Sequence, residues 1–264
     1  MINLEKVSGL PIGLNDEGLL HFNQPLEQIK PDIRKFTALK SVLMDPEAPA
    51  PFDDAYLMYR NVHFKDDEAK LKEAQVSYDI TLIPAGKAGK EFNKTVGHYH
   101  AMKAGTQFAY PETYEVLNGH ALFLLQKMDP AYENLITVIA MEAKAGERVV
   151  YPPNYGHVII NIGTDTLVTS NWVGDNFERL YDPISNRHGM AYYAVASDDG
   201  GYSLVPNPNY ENHPKVRMLT NKYMFNLEIM GKSPMYTIGT TNTKSLEFLI
   251  HPDKYAVELS SITS

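Results

Sequence analysis

Between Tyr56 and Val173 the chain breaks into short runs of apolar, β-branched and aromatic residues at roughly ten-residue spacing, each bounded by Gly, Pro, Asn or Asp. VSYDITLIPAG shows the pattern clearly. Val76, Tyr78, Ile80 and Leu82 share one side, Ser77, Asp79, Thr81 and Ile83 the other, and Pro84 and Gly86 end the run. TYEVLNG closes on Asn118-Gly119, a strong hairpin signal, and HALFLLQKM, LITVIAMEA, AGERVVYPP, HVIINIG and TLVTSNWV follow. Short strands of this kind build a sandwich or barrel rather than a βαβ sheet. Closure matters for function, because alternation points every second side chain at one interior.

Within that frame His98 and His100 stand one residue apart in KTVGHYH, so on a strand both project to one face and Tyr99 to the other. Glu112 lies seven positions before Gly119, and Glu115, an odd step from it, faces the opposite side. Two imidazoles and a carboxylate suit a divalent transition metal but leave it short of a ligand. Of the other histidines, His157 has the best setting. The turn Pro152-Pro153-Asn154 hands it into HVIIN, facing inward with Ile159 and Asn161.

Composition narrows the class. With 264 residues, 44% hydrophobic and 21% charged, the chain can bury a sizeable core. A net charge of −8 argues against nucleic acid or anionic membrane as a partner. Locally the balance reverses, since Lys87, Lys90, Lys94 and Lys103 flank the histidines against Glu91 alone. The absence of cysteine excludes disulfides and thiolate ligands and fits a cytoplasmic location. No apolar run is long enough for a transmembrane helix. MINLEKVSGL lacks the basic start and apolar core of a signal peptide.

The expected organisation is one domain over 1–264, with a barrel core over 55–210, an N-terminal arm over 1–54 and a C-terminal extension over 211–264. PEAPAP is a stiff linker in the arm, and LEQIKPDIRKFTALKSVLMD carries a possible short helix interrupted by Pro31. YLMYRNVHF reads as a strand, and KDDEAKLKEAQ as a helical turn or hairpin tip. AYYAVASDDGGYSLV reads as a hairpin. PKVRMLTNKYMFNLEIMG and SLEFLIHPDKYAVEL are predicted as short helices.

These motifs resemble the cupins. The first cupin motif ends in HxH, a gap, Glu, six residues and Gly, matched by His98, His100, Glu112 and Gly119, although Phe92 stands where its leading Gly belongs. The eleven residues between His100 and Glu112, including MKAGTQFAYP, form an insertion relative to that motif. The second motif is matched by Gly146, Pro152, His157 and Asn161, with Asn154 in place of Gly. TLIPAGKAGKEFNKTVGHYH, PETYEVLNGHALFLLQ and SNWVGDNFERLYDPI further resemble the cupin-type, or archaeal-type, glucose-6-phosphate isomerases, over roughly 55–210.

The resemblance implies an all-β cupin fold, a double-stranded β-helix or jelly-roll barrel, with the arm at its start and a few helices after it. It implies one divalent transition metal (Fe, Mn, Ni or Zn) on His98, His100, Glu112 and His157. It also implies a sugar phosphate bound by Tyr59, Thr81, Thr95, Gly97 and Tyr181, with Lys94 as an added charge. The reaction would interconvert glucose 6-phosphate and fructose 6-phosphate by proton transfer between C1 and C2, with the enediolate stabilised by the metal. Glu112 is the leading base and Tyr114, on its face, the second participant. A homodimer is the family analogy. The competing readings are another sugar isomerase, an iron-dependent oxygenase, or a non-catalytic sugar-phosphate binder on the same ligand set.

Overall fold

In the computed structural model the described residues are 1–220 and 227–263. Two antiparallel sheets face each other and close into the expected jelly-roll barrel. The larger has six strands in the order Arg148–Tyr151, Glu112–Asn118, Leu167–Gly174, Val76–Ile83, Asp54–Tyr59 and Asp32–Lys35. The facing sheet runs Gly156–Asn161, His120–Met128, Leu135–Lys144 and Arg217–Leu219, the last pairing in parallel. Alternation along these strands buries residues such as Tyr78, Val116, Phe123, Leu125, Ile139 and Trp172 completely. Each fully buried side chain of this size contributes roughly 1.5–3 kcal/mol.

The arm joins this architecture directly. Asp32–Lys35 pairs antiparallel with Asp54–Tyr59, placing Arg34 opposite Tyr56. A 3-10 helix over Phe36–Val42 then buries Phe36, Leu39 and Val42. Asp54–Tyr59 ends at Tyr59, and KDDEAKLKEAQ takes the helical alternative as Glu68–Ala74.

Two expectations differ from the structure. Asn118-Gly119 is not a hairpin turn. The strands on either side of it lie in different sheets, so it is the corner at which the chain crosses the barrel. Gly119 takes φ 88°, and a Cβ there would stand 3.1 Å from Leu167 Cα, so glycine serves the close approach as much as the turn. Asn118 Nδ2 fastens the corner to Thr166 O at 2.7 Å. In PKVRMLTNKYMFNLEIMG, Arg217–Leu219 is an edge strand and Glu228–Met230 a 3-10 turn. The stretch 221–226 lies outside the described residues. The final segment does form short helices, Glu247–Ile250 and Ala256–Ser261. Among the described residues no helix is long and apolar enough to cross a membrane.

Candidate metal centre and sugar-phosphate site

The first motif enters the barrel as a short strand, Tyr99–His100, with His98 bridged to His157 of the facing sheet. Tyr99 points the other way and its hydroxyl donates to Gln126 O at 3.3 Å. Glu112 opens the Glu112–Asn118 strand, and His157 lies in Gly156–Asn161. The ligand-type atoms of His98, His100, Glu112 and His157 all lie within 4.8 Å of one another. His98 Nε2 is 3.2 Å from His100 Nε2, and Glu112 Oε2 lies 3.4 Å from His100 Nε2 and 3.5 Å from His157 Nε2.

Glu112 Oε2 and His157 Nε2 are buried with no hydrogen-bond partner among the described residues. Buried polar atoms left this way are costly, and a convergent set of them is what a bound cation would satisfy. Burial, and then the neighbouring imidazoles, push the His98 and His157 pKa values well down, which leaves the rings neutral with lone pairs available. The residues therefore fit a divalent transition ion.

Supporting contacts orient these donors. The ring N–H at His100 Nδ1 donates to Tyr110 O at 2.8 Å, leaving Nε2 to face the cluster. Asn171 Nδ2 donates to Glu112 Oε1 at 2.7 Å. The insertion between His100 and Glu112 thus supplies a supporting carbonyl instead of displacing the glutamate. It is pinned in turn by Asn154, which accepts Ala109 N–H at 2.7 Å. Asn154 has φ 71°, the left-handed geometry that Gly would take in the motif.

The cluster opens into a cavity of about 50 Å³ bordered by Thr81, Thr95, Gly97, Tyr114 and Tyr181. Gly97 takes φ 83°, and a Cβ there would stand 3.2 Å from His157 O. Tyr181 lies over His98, its ring centroid 5.3 Å away. Burial, and then the Glu112 charge, push the Tyr114 phenol well up.

Residues 33–211 match the family described as glucose-6-phosphate isomerase. The chain belongs to that family. It is 27% identical over 199 residues to the glucose-6-phosphate isomerase of Thermococcus litoralis, covering 73% of this chain and 91% of that one. To the glucose-6-phosphate isomerase of Thermococcus onnurineus (strain NA1) it is 29% identical over 181 residues, covering 68% and 87%. Among solved structures it overlaps Lactobacillus farciminis oxalate decarboxylase at 20% identity, TM-score 0.34, over 50% of this chain and 32% of the other. The vicilin of Corylus avellana overlaps at 14% identity, TM-score 0.35, over 50% and 34%. The chain thus spans about a third of those two longer proteins.

In this isomerase-family chain two expected residues lie away from the cavity. Tyr59 is on the opposite face of its strand, where its hydroxyl accepts Leu20 N–H at 3.2 Å and its ring packs on Phe22. Tyr56, an odd step earlier, borders the cavity with Met58 and Arg60. Lys94 is buried, donating to Val42 O at 2.6 Å and paired with Glu91, so it offers the cavity no charge. Sequence reasoning also missed Asn171, Arg60 and Arg179. Strand alternation from Tyr56 reaches Arg60, and Asn171 is a polar residue in an otherwise apolar run. Arg179 precedes Tyr181 by two residues in an irregular segment, and that spacing was its one signal.

Proposed function

We propose that the chain is a metal-dependent glucose-6-phosphate isomerase, acting at a step common to glycolysis and gluconeogenesis. One observation carries this reading: four donors, three of them buried and His98 half-buried, converge with orphaned atoms facing each other, beside hydroxyl and amide donors suited to a phosphate. A divalent transition ion on His98, His100, Glu112 and His157 would supply Lewis acidity to the C1 and C2 oxygens of the open-chain sugar.

The chain's own residues do the rest. Thr81, Thr95, the Gly97 amide and Tyr181 hold the phosphate, with Tyr56 in the role first assigned to Tyr59. In the aldose-to-ketose direction Glu112 takes the C2 proton. The C–H electron pair becomes the C1–C2 double bond, and the carbonyl π pair moves to O1. The O2 proton then passes to O1, the O–H electron pair forms the C2 carbonyl, and the C1–C2 π pair takes the proton back from Glu112 at C1, with Tyr114 as the neighbouring phenol that hydrogen-bonds the oxygens. Asn171 holds Glu112 Oε1 so that the carboxylate keeps its aim. A cytoplasmic homodimer completes the proposal, supported by the cysteine-free chain and by Ile33, 49% exposed on the edge strand Asp32–Lys35.

The test is turnover of fructose 6-phosphate by purified protein before chelation, after it, and after return of Mn, Fe, Ni or Zn. Activity is expected to vanish with the metal and return with at least one ion. Turnover that survives complete stripping sinks the metal role, and no turnover with any ion sinks the isomerase reading.

A further inference from the structure

Two arginines border both the cavity and a larger outer cleft of about 360 Å³. Arg60 is already neutralised. Its Nη1 holds Asp79 at 2.7 Å, and Asp79 also accepts Asn61 N–H and Ser77 O–H at 2.8 and 2.7 Å. Arg179 has no such partner. Among the described residues no carboxylate comes within ion-pair distance of it, although the protein carries a net charge of −8.

The position of Arg179 is nevertheless well determined. Its backbone pairs with His100, and its guanidinium lies 5.3 Å from the centroid of Phe177. That ring sits 4.3 Å from the His100 ring and stacks on Tyr110 at 5.1 Å. The antiparallel register sets Arg179 against His100 and Leu180 against Tyr99, so the next residue, Tyr181, falls beside His98. Thr95 and Gly97 precede His98, at the Tyr181 end. Arg179, two residues earlier, is set against His100, one strand step further along the metal-ligand cluster from the Tyr181 end.

A half-buried cation without a counter-charge is costly unless a ligand shares it. Among the described residues the one carboxylate bordering the cavity is Glu112, whose Oε1 is held by Asn171 and whose Oε2 turns to the imidazoles, and it makes no ion pair with Arg179. We propose that Arg179 is a catalytic residue that binds the C1 and C2 oxygens of the open-chain sugar and stabilises the negative charge that gathers there as the C2 proton leaves. This rests on the isomerase reading. The guanidinium stays protonated throughout, so it supplies charge and hydrogen bonds but moves no proton.

The test compares wild type with Arg179→Gln and Arg179→Lys, each checked for metal content and fold. In metal-loaded protein Arg179→Gln is expected to lower kcat by about 100-fold or more, with little change in the KM for fructose 6-phosphate. Calorimetry on chelator-treated protein supplies the second readout, with 6-phosphogluconate, charged at C1, set against sorbitol 6-phosphate, neutral there. Arg179→Gln should weaken 6-phosphogluconate about tenfold or more and leave sorbitol 6-phosphate unchanged, and Arg179→Lys should recover part of the loss. Equal weakening of both ligands would move Arg179 to the phosphate and overturn the proposal, as would no change in either. A wild type that turns over fructose 6-phosphate alongside an unaffected Arg179→Gln sinks this inference alone. A wild type that binds neither ligand and turns nothing over sinks the isomerase reading and this inference with it.

Discussion

Glu112 and Glu115 stand three residues apart on one strand, both almost fully buried, yet their surroundings are opposites. Glu115 faces away from the cavity and is saturated. Its Oε1 accepts Arg148 Nε and Nη2 at 2.8 and 2.6 Å, and its Oε2 accepts Met235 N–H at 3.0 Å. Arg148 also donates to Ile229 O at 2.7 Å and Gly231 O at 2.6 Å, so the pair ties the C-terminal extension to the barrel. Glu112 has one oxygen held by Asn171 and the other facing imidazoles without a partner. A buried carboxylate whose acceptor sites are all filled is part of the architecture. One left half-satisfied among neutral imidazoles is waiting for a ligand, and this difference separates a structural charge from a functional one.

The sharpest way to break the contrast is to neutralise each glutamate in turn. Glu112→Gln should reduce fructose 6-phosphate turnover by about a thousandfold, equivalent to ~4 kcal/mol in the barrier, and lower the bound metal, with little loss of folding stability. Glu115→Gln should do the reverse. Removing one partner of a buried ion pair costs about 3–5 kcal/mol, so its denaturation midpoint should fall sharply while activity per folded molecule persists. Elemental analysis, steady-state rates and denaturant titration on both variants decide the matter. If Glu115→Gln lost metal as well, the two faces of the strand would not be independent.

A smaller effect sharpens the same comparison. Asn171→Ala removes the hydrogen bond that aims Glu112 while leaving all four donors in place. Groups that orient a ligand in this way are worth roughly 10–100-fold in metal affinity, so a competition titration with a chelator should show a drop in that range. An affinity equal to wild type would mean that Glu112 is positioned by its strand alone.

The parity of the strands explains what could be read in advance. The step of two between His98 and His100 and the odd step from Glu112 to Glu115 assign faces without further information. The Pro152–His157 turn likewise announces its strand. Lys94 was beyond reach of this logic, because its carbonyl partner, Val42, comes from the remote arm. The corner at Gly119 looked like a hairpin because local sequence encodes the bend but not which sheet the next strand joins. Arg217–Leu219 is a strand only because the exposed edge of Leu135–Lys144 pairs with it, a tertiary contact that overrides local preference. Arg179 lacked a regular pattern from which a face could be inferred.

Tyr56 and Tyr59 give the finest version of the contrast, two tyrosines on opposite faces of Asp54–Tyr59. Strand parity says they differ, but not which one looks inward. Tyr59→Phe deletes a hydroxyl that accepts Leu20 N–H, so it should cost about 1 kcal/mol of stability and leave the KM for fructose 6-phosphate unchanged. Tyr56→Phe deletes a hydroxyl at the cavity, so it should raise that KM by about 5- to 10-fold, as loss of one hydrogen bond of about 1 kcal/mol implies, with stability less affected. Steady-state kinetics and thermal melts on the two variants suffice. A KM that rises in Tyr59→Phe and not in Tyr56→Phe would reverse the strand's orientation and remove Thr81, which pairs with Met58 across the same sheet, from the proposed phosphate site.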